Sequence, residues 1–232
     1  MNWFSSRSQG SAELGLPCVE AINIVQEYDT LLGPRRVLDG INFRIGRGER
    51  MAIVGRNGAG KSTLIRILAG IQEPTGGAVE AEMSVSWPIA LTAGIEGNMS
   101  GYDNIRFISR LYGVETEEIF DYVARFTELG SSLHEPVRHY STGMRMRLAF
   151  ALSLAIDFDC LLIDEAIAVG DARFQRKCRE EIFERRQDRT LIMAVHGGEL
   201  IRDYCTSVLI LDEGRGRVFH DVEFAIRIYE TL

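Results

Sequence analysis

A glycine-rich stretch of the chain, GRNGAGKST (Gly55–Thr63), matches the phosphate-binding pattern G-x-x-x-x-G-K-[ST]. Lys61 would supply a positive charge for the β- and γ-phosphates, and Ser62 a hydroxyl for Mg²⁺. Three glycines would let the backbone curl so that successive N–H groups point at phosphate oxygens: Gly55, Gly58 and Gly60. The alternative is a glycine turn without a ligand. The stretch lies between a predicted strand and a predicted helix, and this context favours a nucleotide site.

Two further positions carry groups that could act on a bound triphosphate. Asp164 ends the apolar run Cys160–Asp164 and Glu165 follows it, which suits a carboxylate on the magnesium side and a general base for water. Alone, such a pair is more often a strand end entering a loop. His196 follows the apolar strand Leu191–Val195, where a histidine is usually structural. Parallel strands would bring it to the same sheet edge, which favours a γ-phosphate sensor.

The elements that position these residues follow from the apolar pattern. Strands are predicted at Val19–Gln26, Val37–Leu38, Ile41–Ile45, Arg50–Val54, Ala78–Glu80, Ser84–Trp87, Cys160–Asp164, Leu191–Val195 and Ser207–Leu211. Helices are predicted at Lys61–Ala69, Tyr102–Tyr112, Thr116–Leu129, Ser141–Ile156, Ala172–Arg186 and Glu199–Tyr204. Strands that alternate with helices predict an α/β core with a parallel sheet. The helical block at about 96–156 is then an inserted lobe.

Composition narrows the class of protein. The chain has 232 residues, a net charge of −7 and 46% hydrophobic residues, which argues against sequence-independent nucleic-acid binding. Its longest uncharged run, Met83–Ile95, is shorter than the roughly 20 residues that span a bilayer. The widely spaced cysteines predict reduced, buried thiols. We expect residues 1–16 to form a mobile tail and residues 17–232 to form one ATP-binding domain.

The stretch HYSTGMRMRLAF (His139–Phe150) opens a predicted helix with hydroxyls and a glycine. Such an opening is consistent with ordinary capping of the helix. It is equally consistent with an anion-binding helix N-terminus. The residues themselves leave both interpretations open.

Together these motifs resemble the ATP-binding subunit of ABC transporters, from Val19 onward. The resemblance implies a P-loop NTPase with a RecA-like parallel-sheet core, an N-terminal antiparallel β subdomain and the inserted helical lobe. STGMR takes the place of the family's signature motif, which closes on the nucleotide of a second, antiparallel subunit. The implied nucleotide-binding residues are Tyr28 (stacked on adenine), Gly55, Asn57, Gly58, Ala59, Gly60, Lys61, Ser62, Thr63, Ser141, Thr142, Gly143, Met144 and Asp171. The implied catalytic residues are Lys61, Glu165 and His196.

A narrower resemblance is to the subgroup that exports capsular polysaccharide in Gram-negative bacteria, with O-antigen exporters as the nearest neighbours. It implies a homodimer that uses ATP and Mg²⁺ and docks peripherally on a separate membrane permease at the cytoplasmic face of the inner membrane. Polysaccharide would be handled only through that permease, and nucleic acid would not be a partner. The implied metal ligands are Ser62, Asp164 and Glu96, where Glu96 replaces the usual glutamine and Ala166 the usual proline.

Two other classes share part of this pattern. A soluble ABC ATPase of DNA repair or translation is disfavoured by the acidic charge and by the single nucleotide domain. A P-loop kinase or GTPase is disfavoured by the signature-like stretch and by His196.

Overall fold

The computed structural model describes residues 17–31, 33–165 and 170–232. Its strands are β1 (Cys18–Thr30), β2 (Gly33–Gly46), β3 (Arg50–Gly55), β4 (Gly76–Ala81), β5 (Val85–Pro88), β6 (Cys160–Asp164), β7 (Thr190–Ala194), β8 (Ser207–Asp212) and β9 (Arg215–Phe219). Its α-helices are α1 (Lys61–Leu68), α2 (Gly101–Tyr112), α3 (Thr116–Thr127), α4 (Thr142–Ala155), α5 (Ala172–Arg179), α6 (Gly198–Tyr204) and α7 (Val222–Tyr229). The predicted tail and Ala166 lie outside the described residues.

Two sheets organise the core. A three-stranded antiparallel sheet has the order β2-β1-β4, and a six-stranded sheet has the order β5-β6-β7-β3-β8-β9. Strands β5, β6, β7, β3 and β8 run parallel, and β9 pairs antiparallel with β8. Every residue of β3 and β7 is buried, as expected for central strands covered on both faces. The fold class predicted from the sequence is confirmed.

The six-stranded sheet separates two apolar layers. Val54 and Ile163 pack with the helical lobe, α5 and α7 on one face. Ile53 and Leu162 pack with α1 and the antiparallel sheet on the other. Neighbouring residues of a strand point to opposite faces, so the continuous apolar runs in the sequence fill both layers. This packing fixes the carboxyl ends of β3, β6 and β7 along one edge of the sheet.

The helical lobe is fastened at the loop that precedes α2. The buried amide of Asn104 accepts from the backbone N–H of Glu96 at 2.8 Å and donates to its carbonyl at 3.1 Å. Backbone N–H groups of Val137 and Arg138 donate to the carbonyls of Met99 and Gly97 at 2.9 and 2.8 Å. The loop is therefore tied both to α2 and to the segment leading into α4.

Two local predictions were wrong in detail, and two elements were missed. Val37–Leu38 and Ile41–Ile45 belong to one long strand, β2, which includes Pro34. An edge strand tolerates proline because it has an unpaired side. The helix predicted at Ala172–Arg186 is α-helical only to Arg179 and continues as a π-helical turn over Glu180–Glu184. Strand β9 and helix α7 were not predicted.

The burial of the cysteines agrees with the expectation from the sequence. The four cysteines are buried and free: Cys18, Cys160, Cys178 and Cys205. Burial raises the pKa of the Cys160, Cys178 and Cys205 thiols to about 12. Within the described residues, every helix is too short or too polar to cross a lipid bilayer.

Candidate nucleotide site

The glycine-rich loop connects the buried end of β3 to the start of α1. A Cβ at Gly55 would lie 2.3 Å from the carbonyl oxygen of Leu211, and one at Gly60 would lie 2.8 Å from the Leu38 side chain. Gly60 also has a φ of 102°, which glycine adopts without steric cost. Because Gly60 has no side chain to cap α1, the backbone N–H groups of the first turn are available to an anion.

Lys61 is held inside this loop. Its side chain is 5% exposed, and its Nζ donates to the carbonyl oxygens of Gly55 at 2.9 Å and Arg56 at 3.3 Å. The same Nζ lies 3.9 Å from Glu165 Oε1. The ammonium group is thus placed between the loop backbone and the carboxylate that follows β6.

Two oxygen atoms that could bind a metal ion lie close together beside Lys61. Ser62 Oγ donates to Asp164 Oδ1 at 2.9 Å, although the two residues are 102 positions apart in the sequence. Ser62 lies in the first turn of α1 and Asp164 ends β6. A hydroxyl and a carboxylate are hard oxygen ligands of the kind that Mg²⁺ prefers.

Glu165 and His196 form a second pair at the same edge. Glu165 Oε1 lies 2.8 Å from His196 Nε2, and the backbone N–H of Glu165 donates to Ala194 O at 3.0 Å. Glu165 has a φ of 56°, a left-handed conformation that costs a non-glycine residue roughly 1–2 kcal/mol. On the far side of the ring, His196 Nδ1 lies 3.3 Å from the hydroxyl of Tyr229 in α7. Sequence analysis missed Tyr229 because it missed α7.

Tyr28 lies near the end of β1, against the P-loop helix. Its hydroxyl is 2.8 Å from Gln72 Nε2 and 3.5 Å from Thr63 Oγ1, and the residue is 38% exposed. The ring therefore has an open surface beside α1. Asn57 and Ala59 lie on the loop itself, exposed and half-buried respectively. Gln72 is a further residue at this position that the sequence analysis did not single out.

The signature-like residues lie at the N-terminus of α4. Ser141 caps this helix, with its Oγ accepting from Met144 N at 3.2 Å. Thr142 Oγ1 accepts from Arg145 Nη2 at 3.4 Å, and Gly143 is half-buried. Across the described ranges, no hydrogen bond or ion pair joins residues 141–144 to the P-loop. Capping is therefore present, while the predicted anion contact would need a ligand from outside this chain.

Asp171 caps α5 rather than reaching toward the P-loop. Its Oδ1 accepts from Phe174 N at 2.9 Å, and its Oδ2 lies 2.6 Å from Arg147 Nη2. The hydrogen bond from Phe174 N and the nearby guanidinium of Arg147 lower the pKa of Asp171. Both carboxylate oxygens are therefore engaged within the chain.

Glu96 stands apart from the other predicted metal ligands. It is exposed, and its Oε1 accepts from the backbone N–H of Asn98 at 3.0 Å. In the residues that the structure covers, Glu96 forms no hydrogen bond with Ser62 or Asp164. The sheet edge at the ends of β3, β6 and β7 is named the catalytic edge, after the roles predicted for the five residues that it brings together: Lys61, Ser62, Asp164, Glu165 and His196.

The site combines a glycine-rich loop, a helix that begins without a side-chain cap and a carboxylate pair at one sheet edge. This combination defines a P-loop nucleotide-binding protein. A profile of the family described as "ABC transporter" matches residues 38–168, more than half of the sequence. The chain belongs to the ABC transporter family as an ATP-binding subunit.

The relatives of this chain show which members of the family it resembles. The chain is 47% identical to the ATP-binding protein BexA of Haemophilus influenzae, over 89% of this chain and 95% of that protein. It is 46% identical to the capsule polysaccharide export ATP-binding protein CtrD of Neisseria meningitidis serogroup B, over 90% and 97%. It is 41% identical to the polysialic acid transport ATP-binding protein KpsT of Escherichia coli, over 90% and 96%.

Solved structures share the fold. An ATP-binding subunit of an ABC transporter matches with a TM-score of 0.76 and 22% identity, over 90% of this chain and 92% of that one. A dimeric ATP-binding cassette in a post-hydrolysis state, bound to ADP and phosphate, matches with a TM-score of 0.73 and 18% identity, over 87% and 98%.

Proposed function

We propose that this protein binds and hydrolyses ATP to power the export of capsular polysaccharide through a separate membrane permease. The observation that supports ATP hydrolysis is that five residues lie together at one sheet edge: Lys61, Ser62, Asp164, Glu165 and His196. The likeness to CtrD and KpsT, which are named for capsule polysaccharide export and polysialic acid transport, supports the cargo.

ATP would lie along the P-loop. The N–H groups from Gly55 to Thr63 would bind the phosphates, with Lys61 Nζ exchanging its carbonyl acceptors for phosphate oxygens. Adenine would stack on the exposed ring of Tyr28, whose hydroxyl is already held by Gln72. These assignments, including Asn57 and Ala59 on the loop, are proposals that substitution of each residue can test.

Mg²⁺ fits the donor set beside the loop. Ser62 Oγ and Asp164 Oδ1 are 2.9 Å apart, and two such ligands suffice because Mg²⁺ usually keeps several waters and phosphate oxygens. When held by Ser62 and Asp164, the ion would supply positive charge that neutralises negative charge developing on the phosphates. Glu96 is the third proposed ligand, and it would have to release the N–H of Asn98 to bind.

Glu165 is placed to accept a proton from the attacking water. Its backbone is fixed by Ala194, and its carboxylate is oriented by His196 Nε2. The tautomer with its proton on Nε2 leaves Nδ1 to accept from Tyr229. Tyr229 would thereby orient His196, and His196 would orient the base. To act as the proposed γ-phosphate sensor, His196 Nε2 would have to turn from Glu165 to the phosphate.

We also propose a head-to-tail homodimer that holds two ATP molecules between its subunits. Ser141 and Thr142 are exposed at the start of α4, with Gly143 and Met144 just inside it. A helix N-terminus that receives a phosphate from another chain would satisfy its remaining N–H groups. Asp171 would lie at this interface through its position on α5.

The permease would dock on the helical lobe at an apolar groove of about 270 Å³. Exposed side chains of α2 line it, including Phe107 (54% exposed) and Leu111 (63% exposed). Apolar side chains exposed together in this way favour a protein partner. The subunit would then lie peripherally at the cytoplasmic face of the inner membrane, without contact to nucleic acid.

Complementation tests this function directly. The gene is expressed in a capsule-producing Gram-negative strain that lacks its own exporter ATPase but keeps the permease, and surface polysaccharide is stained on intact cells. We expect the wild type to restore surface polysaccharide and the Lys61→Ala variant to leave it inside the cell. Restored lipopolysaccharide O-chains without restored capsule would favour the O-antigen alternative. Magnesium-dependent ATPase activity without either phenotype would favour a non-transport ABC ATPase.

A further inference from the structure

Arg147, on the second turn of α4, contacts two other segments, the end of α3 and the start of α5. Its Nη2 lies 2.6 Å from Asp171 Oδ2, and its Nη1 donates to the carbonyl oxygen of Thr127 at 3.3 Å. Its guanidinium carbon is 4.8 Å from the centre of the Phe174 ring. The side chain is only 24% exposed. A planar guanidinium can make these hydrogen bonds and this ring contact at once, which an ammonium group cannot match.

The segments that Arg147 joins lie next to the signature-like stretch and to Glu165 in the sequence. α4 begins just after Ser141, the first residue of the signature-like stretch. Asp171 follows Glu165 by six residues and caps α5. Thr127 is the last residue of α3 in the lobe. Arg147 thus connects the signature helix to the core segment that leaves the catalytic carboxylate.

Other contacts already hold the lobe to α5. Glu128 Oε1 lies 3.1 Å from Lys177 Nζ and 3.2 Å from Arg173 Nη2. Neither contact involves α4 or Asp171. Removing Arg147 would therefore leave this seam between α3 and α5 in place, while α4 would lose its charged partner on the core.

We propose that Arg147 is a positioning residue that sets the signature stretch in register with Asp171 for closure on the nucleotide of a second copy of this chain. The inference rests on the proposed head-to-tail dimer. In that dimer the signature of one copy serves the P-loop of the other, while Asp171 stays six residues from the Glu165 of its own copy. The charge-assisted bond between Arg147 and Asp171 would make each site sensitive to the state of the other.

Dimerisation of Glu165→Gln protein with Mg-ATP measures this role without turnover. Sedimentation gives the dimer affinity, and a fluorescent ATP analogue gives nucleotide affinity of the monomer at low protein concentration. In this background we expect Arg147→Ala to weaken dimerisation about tenfold, in the range of a charged coupled pair, and to leave nucleotide affinity unchanged. Arg147→Lys should recover part of the loss.

Asp171→Asn is the matched partner variant, because asparagine still caps α5 but removes the charge facing Arg147. We expect it to reproduce the loss, and the double variant to be no worse than about twofold beyond either single variant. The control is Lys177→Ala, which removes a cation of the seam between α3 and α5 and should leave dimerisation unchanged.

The outcomes separate this inference from the proposed function. A Glu165→Gln parent that stays monomeric would overturn the dimer itself and the inference with it. A dimeric parent with unchanged Arg147→Ala affinity would overturn the role of Arg147 alone. Two other results would also overturn the role of Arg147, because they would assign it to the stability of the monomer. One is an equal loss of nucleotide binding and dimerisation, and the other is additive losses in the double variant.

Discussion

The catalytic edge of the large sheet and the N-terminus of α4 are built in opposite ways. At the catalytic edge, Ser62 meets Asp164 and Glu165 meets His196, so segments far apart in the sequence are brought into contact. At the start of α4, Ser141 Oγ accepts from Met144 N, three residues away in the same helix, and its carbonyl accepts from Arg145 N. One region is assembled by the fold of a single chain, and the other presents groups outward.

This difference suggests how work is divided within the protein. A single subunit already brings together the groups that are proposed to bind phosphates and activate water. The proposed phosphate contact of residues 141–144 would come from a second subunit. Tight ATP binding and assembly of two subunits would then be the same event, so that hydrolysis would release the pair. Five substitutions test this division, in order of falling effect.

Glu165→Gln should give the largest effect at the catalytic edge. We expect hydrolysis to fall by about 10²–10⁴-fold, the range for a positioned general base, with ATP binding intact. Trapped ATP should then hold two subunits together in light scattering. A variant with wild-type turnover would remove Glu165 from the chemistry, and one that stays monomeric at saturating Mg-ATP would break the comparison.

Lys61→Ala should lower hydrolysis by about 10²–10³-fold, because a fixed donor aimed at developing charge contributes about 2.7–4 kcal/mol in comparable sites. The chain offers one matched control, since Lys177 is its only other lysine. Lys177→Ala removes a cation from the seam beside Glu128 and should keep near-wild-type turnover. Steady-state phosphate release measures both, and equal losses would contradict a specific phosphate role.

Gly143→Asp examines the outward-facing region. A Cβ there would lie 3.9 Å from Ser141 Oγ, so the monomer has room for the side chain. A carboxylate facing the triphosphate of a second subunit should weaken ATP-driven dimerisation by at least about tenfold, since like charges at close range repel. Nucleotide affinity of the isolated subunit should not change. A parallel loss of that affinity would place Gly143 beside the nucleotide of its own chain.

Tyr229→Phe should produce a smaller change at the catalytic edge. It removes the hydroxyl group that lies 3.3 Å from His196 Nδ1. That hydroxyl favours the tautomer with its proton on Nε2, which faces Glu165. One neutral hydrogen bond contributes about 0.5–1.5 kcal/mol, which predicts a two- to tenfold lower kcat. The KM for ATP should stay constant. An effect on KM alone would show that Tyr229 acts on nucleotide binding instead.

Glu96→Gln should have the smallest effect. Removing a negative charge near the triphosphate should tighten Mg-ATP binding by up to about fivefold at low salt, the range of exposed charge interactions. The effect should fade as salt is added. Glu117→Gln, at an exposed carboxylate of α3, is the control. Unchanged affinity, together with unchanged stimulation by the permease, would show that Glu96 does not reach the metal.

Sequence reasoning succeeded where one local pattern determines one element. The buried strands β3, β6 and β7 were predicted from continuous apolar runs, and α1 from the glycine-rich loop that precedes it. Because parallel strands end at a common edge, the meeting of Asp164, Glu165 and His196 also followed from strand order.

It failed where the outcome depends on neighbours in space. β2 is continuous because pairing with β1 carries it through Pro34 and Gly40. The position of Tyr229 depends on how α7 packs onto the sheet, which no local pattern encodes. Likewise, Asp171 contacts Arg147 because the fold brings the start of α5 next to α4, 24 residues away in the sequence.

The buried cysteines give the chain an experimental advantage. Burial raises the pKa of the Cys160, Cys178 and Cys205 thiols and shields their sulfur atoms, so these thiols should react slowly at pH 7. Cys18 is shielded by burial as well. A maleimide dye should therefore react with a newly introduced surface thiol far faster than with the native four. Closure of two subunits could then be followed by energy transfer between dyes, in a protein that keeps its native core.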